Sequence, residues 1–180
     1  MAASYPARAG AAGAPEGPSG IILGIDPGTL VVGYGAIRVD ASGPVFLTAG
    51  VLRPRRTAAV PERLGEIGAG LDELLVDLGP AVVVVEEAFV AKNVQSALRL
   101  GEGRGVALAC ATRYGARVVQ LPPAVAKKAL VGNGAAPKEQ VAGMVARLLG
   151  LGGINVPLDA TDALALALAH VLRGSALRVR

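Results

Sequence analysis

Five acidic side chains stand where a chain could bring them to one place. Asp26 closes a short apolar run in GIDPGT, Glu86 and Glu87 follow four consecutive valines in AVVVVEE, and Asp159 and Asp162 stand three apart in PLDATDALALALAH. Residues three apart share one side of a helix's first turn. Hard oxygen donors without an accompanying His or Cys pattern suit Mg²⁺ or Mn²⁺ better than Zn²⁺. Three or four such groups can hold two ions about 4 Å apart, one activating water and one stabilising the leaving oxygen of a phosphodiester. Each group also has a plainer reading. Asp26 can be a turn residue before Pro27-Gly28, and Asp159 a helix cap with Asp162 in the first turn. The Glu pair resists such a reading, because an unpaired carboxylate after a buried strand is costly. Side chains alternate along a strand, so only one of the two can face a common site, and the residues alone leave open which.

Other polar groups gather around these acids. Phe89 follows the Glu pair, with Lys92 and Asn93 close behind, and an aromatic beside an acidic site can stack on an unpaired base. Lys127, Lys128 and Lys138 flank GNGAAP and can contact backbone phosphate or solvate helix ends. Lys138 near a helix start runs against the dipole, which weakens a purely structural role. Arg53, Arg55 and Arg56 form a cluster after a strand, equally readable as a DNA contact or a solvated turn. His170 lies eight residues past Asp162, about 12 Å along a helix, and reads as a packed or helix-end histidine. Cys110 in VALACA reads as a small core residue.

The elements that must position these groups follow from periodicity. Residues 21–26, 31–39 and 45–53 read as strands joined by tight turns, an antiparallel meander. Residues 60–78 place Leu64, Ile67, Leu71, Leu74, Leu75 and Leu78 at helical spacing, ended by Pro80. The run 81–87 is a strand buried on both faces. A helix is expected over 94–114, a short strand over 117–120, helices near 123–131 and 137–149, and a last helix from Asp159 to about Leu172. Gly101, Gly103 and Gly105 fall inside a helical pattern, which marks close packing against another element, either the last helix or a second copy. Strands first joined by hairpins and later by helices give an α/β fold, a five-stranded mixed sheet flanked by α-helices.

Composition bounds the rest. The chain has 180 residues, a hydrophobic fraction of 52%, and a net charge of +4. That is one α/β domain, expected over 21–173, with an Ala/Gly/Pro-rich tail at 1–20 and a short tail at 174–180. One cysteine forms no intrachain disulfide, so a reducing, cytoplasmic location is expected. No apolar run reaches a membrane span. Setting aside Asp26, one Glu of the pair, Asp159 and Asp162 leaves 18 basic against 10 acidic residues, a basic body around an acidic site.

The segments ILGIDPGTLVVGYGAI, VVVEEAFVAKNVQSALRLGEGRGV, KKALVGNGAAPKEQV and DATDALALALAH resemble the RuvC-type Holliday junction resolvases of the RNase H-like fold, from about Ile21 to His170. The resemblance implies catalytic and metal-holding roles for Asp26, Glu86, Asp159 and Asp162, and a catalytic role for Lys138. Glu86 is chosen over Glu87 by its spacing to Asn93. The resemblance puts Phe89 at the junction crossover, with Lys92 and Asn93 beside it as DNA-binding residues, and Lys128 and Lys138 near the scissile phosphate. It also implies two Mg²⁺ per site, replaceable by Mn²⁺, and a homodimer that nicks two like-polarity strands of a four-way DNA junction. The ends would carry 5′-phosphates, and the partner would be the RuvA–RuvB branch-migration complex. Val32 stands where many relatives have Ser or Thr, a difference expected to bear on packing alone.

Two rival readings share some of these residues. GIDPGT also resembles the phosphate loop of actin-like ATPases and sugar kinases, which need a second related domain. The second rival is an RNase H-like nuclease acting on RNA, which would use the same strand-end acids.

Overall fold

The computed structural model describes residues 20–87 and 94–176. Phe89, Lys92 and Asn93, and most of the two expected tails, lie outside them. Five strands form one sheet: β1 (Gly20–Asp26), β2 (Val32–Asp40), β3 (Gly43–Leu52), β4 (Val82–Glu86) and β5 (Arg117–Leu121). The spatial order is β3-β2-β1-β4-β5. β1 pairs antiparallel with β2 and parallel with β4, β2 pairs antiparallel with β3, and β4 pairs parallel with β5. The described helices are α1 (Val60–Leu78), α2 (Val94–Arg113), α3 (Pro123–Val131), α4 (Lys138–Leu149) and α5 (Leu158–Ala176). The mixed five-stranded α/β sheet expected from the sequence is the one observed. Among the described residues no helix is long and apolar enough to cross a membrane.

Side-chain alternation divides the core in two. Leu23, Ile25, Val83 and Val85 face α1 and α2, where they meet Ile67, Leu71, Leu75, Ala107, Cys110 and Ala111. Ile22, Val82, Val84 and Leu121 face the other way, onto α3, α4 and α5. α1 ends as its sequence dictates: Gly79 takes φ 55°, and its N–H donates to the Leu75 carbonyl. Val32 is buried in the α1–α2 half of the core.

α5 lies directly on the sheet because three glycines clear its path. A Cβ on Gly24 would collide with the Ala163 carbonyl oxygen, and one on Gly33 with that of Asp159. One on Gly35 would strike the Leu164 side chain, at 2.5 Å from Cγ. The glycines of the α2 motif behave otherwise. Gly103 alone packs closely, against the Gly28 backbone in the β1–β2 turn, while Gly101 and Gly105 face open space. The close approach expected with the last helix or a second copy is, within the chain, made by Gly103 to the turn after Asp26.

Candidate active site at the strand ends

Of the Glu pair, strand parity turns Glu86 to the cleft. Ile22 and Gly24 on β1 point to the α5 side, and so does the next residue of that parity, Asp26. Val82 and Val84 on β4 do the same, and Glu86 follows them. β1 and β4 run parallel with Ile25 opposite Val85, so the next step puts Asp26 beside Glu86. Both carboxylates line a cleft of about 230 Å³ together with Lys127, Lys138, Asp162, Val141 and Ala165. Glu87 has the opposite parity and points to the α2 side. Its backbone N–H donates to the Leu121 carbonyl at 2.9 Å and prolongs the β4–β5 pairing.

Asp162 comes from the second turn of α5, half-buried. Asp159 lies inside the first turn of α5 and does not cap it, since Thr161 N–H and Oγ1 both bond the Pro157 carbonyl, at 2.9 and 3.1 Å. Asp159 stands outside the lining of the cleft, but its backbone rests on Gly33, and Gly33 is the register partner of Asp26. Its charge adds to the repulsion felt by Asp26.

The electrostatics show one crowded negative site. Burial, then repulsion from Glu86 and Asp162, push the Asp26 carboxyl up to about 7, against relief from Lys138. Burial and the Asp162 charge also raise Glu86, partly offset by Lys138 and Lys127. No described side chain donates a hydrogen bond to Asp26. Lys138, the first residue of α4, donates from Nζ to Asp162 Oδ2 at 2.5 Å, and that bond holds its own pKa above the usual lysine value.

Of the lysine pair, the cleft takes Lys127 and not Lys128. Neighbouring residues on a helix point about 100° apart, and α3 turns Lys127 inward while Lys128 stays exposed. Lys127 Nζ donates to the Ala136 carbonyl at 2.7 Å, two residues before Lys138, so it braces the loop that delivers Lys138. The choice follows from how α3 is rotated: Ala126 and Leu130 are its buried positions, and Lys127 lies next to the first of them. His170 meets Arg117 at the opposite edge of the sheet, 3.2 Å between Nε2 and Nη2, remote from the carboxylates. Cys110 is buried among α1 and α2.

The donor set is hard oxygen, half-buried and short of positive charge, which is the chemistry a divalent cation answers. In the arrangement seen, no three His, Cys, Asp or Glu side chains among the described residues stand close enough to share one ion, and the Lys138 ammonium holds Asp162. The residues fit a metal in kind, and Asp162 would have to leave Lys138 to join them.

A mixed sheet in this order, with carboxylates at the ends of β1 and β4 and on the helix lying across them, defines a protein of the RNase H-like α/β class. Residues 22–170 match the family described as crossover junction endodeoxyribonuclease RuvC, and the chain belongs to that family. The protein of that name from Chlorobaculum parvum is 44% identical over 158 residues, covering 87% of this chain and 84% of its own. The one from Solidesulfovibrio magneticus is 46% identical over 152 residues, covering 84% and 89%. Among solved structures, Thermus thermophilus RuvC superposes with a TM-score of 0.79 at 34% identity, over 87% of this chain and 96% of that one. The same protein in complex with a Holliday junction substrate also gives 0.79, at 35% identity over 86% and 94%. A yeast mitochondrial Holliday junction resolvase, at 15% identity and a TM-score of 0.66, shares the fold.

Proposed function

We propose that this chain is a structure-selective DNA endonuclease that resolves four-way junctions by paired, symmetric nicks leaving 5′-phosphates, in recombination and repair. The observation that carries the reading is the pairing of Asp26 and Glu86 across β1 and β4, facing Asp162 of α5, in a chain of the RuvC family. Asp26, Glu86, Asp159 and Asp162 would hold two Mg²⁺, with Mn²⁺ able to replace them, and the ions would activate water and neutralise the phosphate. The chain's own part is to fix that site. Gly24 and Gly33 let α5 sit close enough for Asp162 to share a cleft with the strand ends. Lys138, exchanging Asp162 for a phosphate oxygen, would hold the scissile group, and Lys127 keeps the loop before it in place. Lys128, exposed one residue away, is suited to the next phosphate. Phe89 would stack on a base at the crossover, flanked by Lys92 and Asn93.

Paired nicks on a two-fold substrate need two sites, and each chain holds one, so the active form is a homodimer. Val94, Leu98, Gly101 and Gly105 lie along one exposed stripe of α2, with Val94 76% and Leu98 58% exposed, and this is the face we assign to the partner copy. Family membership supports cooperation with the RuvA–RuvB complex and a cytoplasmic site of action. The test is cleavage of a synthetic four-way junction with Mg²⁺, beside duplex DNA and structured RNA. Paired nicks across the junction are expected, lost in Asp26→Asn while junction binding persists. Strong cleavage of duplex or RNA with an inert junction would sink the reading.

A further inference from the structure

The loop between β3 and α1 lies at the same edge of the sheet as the carboxylates. Asp26 pairs with Gly33, and Gly33 with Val51, so the three are level across neighbouring strands. Arg53 follows two residues later and leaves the sheet on the side where β1 and β4 end. Two strand spacings of about 4.8 Å sideways and two residues of about 3.4 Å along the strand put its Cα roughly 12 Å from that of Asp26. That distance corresponds to three or four steps of a duplex at about 3.4 Å per step along one strand.

The loop is preformed. Glu66 on α1 accepts from Arg55 twice, from the backbone N–H at 2.8 Å and from Nε at 2.6 Å. Ala58 N–H donates to the Arg55 carbonyl at 3.0 Å, and Arg63 Nη1 donates to the Ala58 carbonyl at 3.2 Å. Pro54 is buried while Arg53 and Arg56 on either side are exposed. Arg55 is thus spent on holding the loop. Arg53 and Arg56 make no ion pair with any described residue. A turn that needed only solvation would not require two outward guanidiniums on a clamped backbone beside the active edge. Helices α1, α2 and α5 also begin at this edge, and the partial positive charge of their first turns favours an anionic partner there.

We infer that Arg53 and Arg56 form a second DNA contact, binding phosphates of a junction arm as it leaves the cleft. The contact reads no sequence; it fixes the angle at which the arm departs. This rests on the proposed junction-cleaving function and adds an arm-holding surface to it.

The test compares the full-length chain with Arg53→Ala/Arg56→Ala, and with Arg38→Ala at the opposite edge, where Arg38 pairs with Asp40 at 3.8 Å. Junction binding is measured without divalent metal across a salt series, and single-turnover nicking with Mg²⁺ at saturating protein. Two lost phosphate contacts reduce the slope of log K against log salt by about 1.8 and weaken binding at least about tenfold near 0.15 M salt. The nicking rate of bound junction stays at the wild-type value, and Arg38→Ala binds as wild type. An unchanged slope in the double variant, or an equal fall in Arg38→Ala, overturns the inference while leaving the cleavage reading intact. Failure of the wild-type chain to bind the junction at all overturns both, and it shows in the wild-type arm alone.

Discussion

Helices α5 and α2 are 19 and 20 residues long, start at the same edge of the sheet and lie on its opposite faces, yet they are held in different ways. α5 approaches the backbone at three points, where Gly24, Gly33 and Gly35 leave room for it, and residues 160–169 are almost all buried. α2 has one glycine in tight backbone contact, Gly103 against Gly28, packs otherwise through Ala107, Cys110 and Ala111, and leaves Leu98, Gly101 and Gly105 exposed. The α5 face carries the concentrated charge of Asp26, Glu86 and Asp162. The α2 face carries an ion pair to α1, Arg113 with Asp72, and an open apolar stripe. A helix that must place carboxylates beside strand ends has to be fixed in height above the sheet, and glycine contacts fix it. A helix proposed to meet a second chain needs only to be present with its outer side clear.

The largest effect follows from the glycine contacts. Gly24→Ala puts a methyl into the Ala163 carbonyl, a backbone atom that cannot rotate away. Overpacking of ordinary side chains costs about 1–3 kcal/mol, and a backbone target takes the cost to the top of that range or past it. We expect loss of cooperative folding, or a fall in melting temperature with nicking abolished. Gly105→Ala on α2 meets nothing within 4 Å and leaves the fold intact. Equal melting temperatures for the two variants would break the contrast between the faces.

Charge on the α5 face gives the next effect, of opposite sign for stability and activity. Folded Asp26 keeps its proton up to about pH 7, whereas its ordinary value is 3.8. The folded state therefore binds more protons between these values, and the metal-free protein loses stability as pH rises through that window. Asp26→Asn removes the penalty. In chelator at pH 8 the variant should be more stable by up to about 4 kcal/mol, a gain that vanishes below pH 4. Nicking with Mg²⁺ falls at least about a hundredfold, since even a residue that only supports a metal ligand is worth about 10–100-fold. A melting temperature at pH 8 no higher than wild type would show that the acids are not straining the fold.

Much of this arrangement is visible in the chain before folding, and what is not has a common cause. The helix at 60–78 and the strand at 117 onward are local patterns, one a 3.6-residue stripe and the other a short run of β-branched residues. Asp26, Glu86 and Asp162 are conspicuous as acids at the ends of apolar runs. Which of Glu86 and Glu87 faces the cleft depends on the parallel register of β1 with β4, a pairing across 60 residues that periodicity within β4 does not report. Lys127 against Lys128 depends on the rotation of a nine-residue helix. Gly24, Gly33 and Gly35 look like ordinary strand glycines until the helix that needs them, more than 120 residues later, is in place. Contacts between elements, more than the elements themselves, escaped the sequence.

The Glu pair tests that register directly. Glu86→Gln should cut nicking about 10–100-fold or more, as for other groups around a metal, while Glu87→Gln on the α2 face nicks close to the wild-type rate. Junction binding is the control, expected to survive both changes. A loss confined to Glu87→Gln would mean that β4 is slipped by one residue against β1, which would turn Val83 and Val85 out of the α1–α2 core as well.

The smallest effect bears on the open face of α2. Glycine inside a helix costs about 1 kcal/mol relative to alanine, and a Cβ on Gly101 meets nothing within 4 Å. If the stripe were merely solvated, Gly101→Ala would be a simple gain. If the stripe seats a second copy, the same methyl stabilises the lone chain and obstructs the interface, so the two quantities move apart. We expect thermal stability of the dilute chain to rise by up to about 1 kcal/mol while the dimer dissociation constant, followed by sedimentation, increases. A dimer that forms as readily in the Gly101→Ala variant as in the wild type would place the interface elsewhere. A glycine retained in an exposed helix position at that thermodynamic cost would then need a different explanation from the one that accounts for Gly24, where the contact is already within the chain.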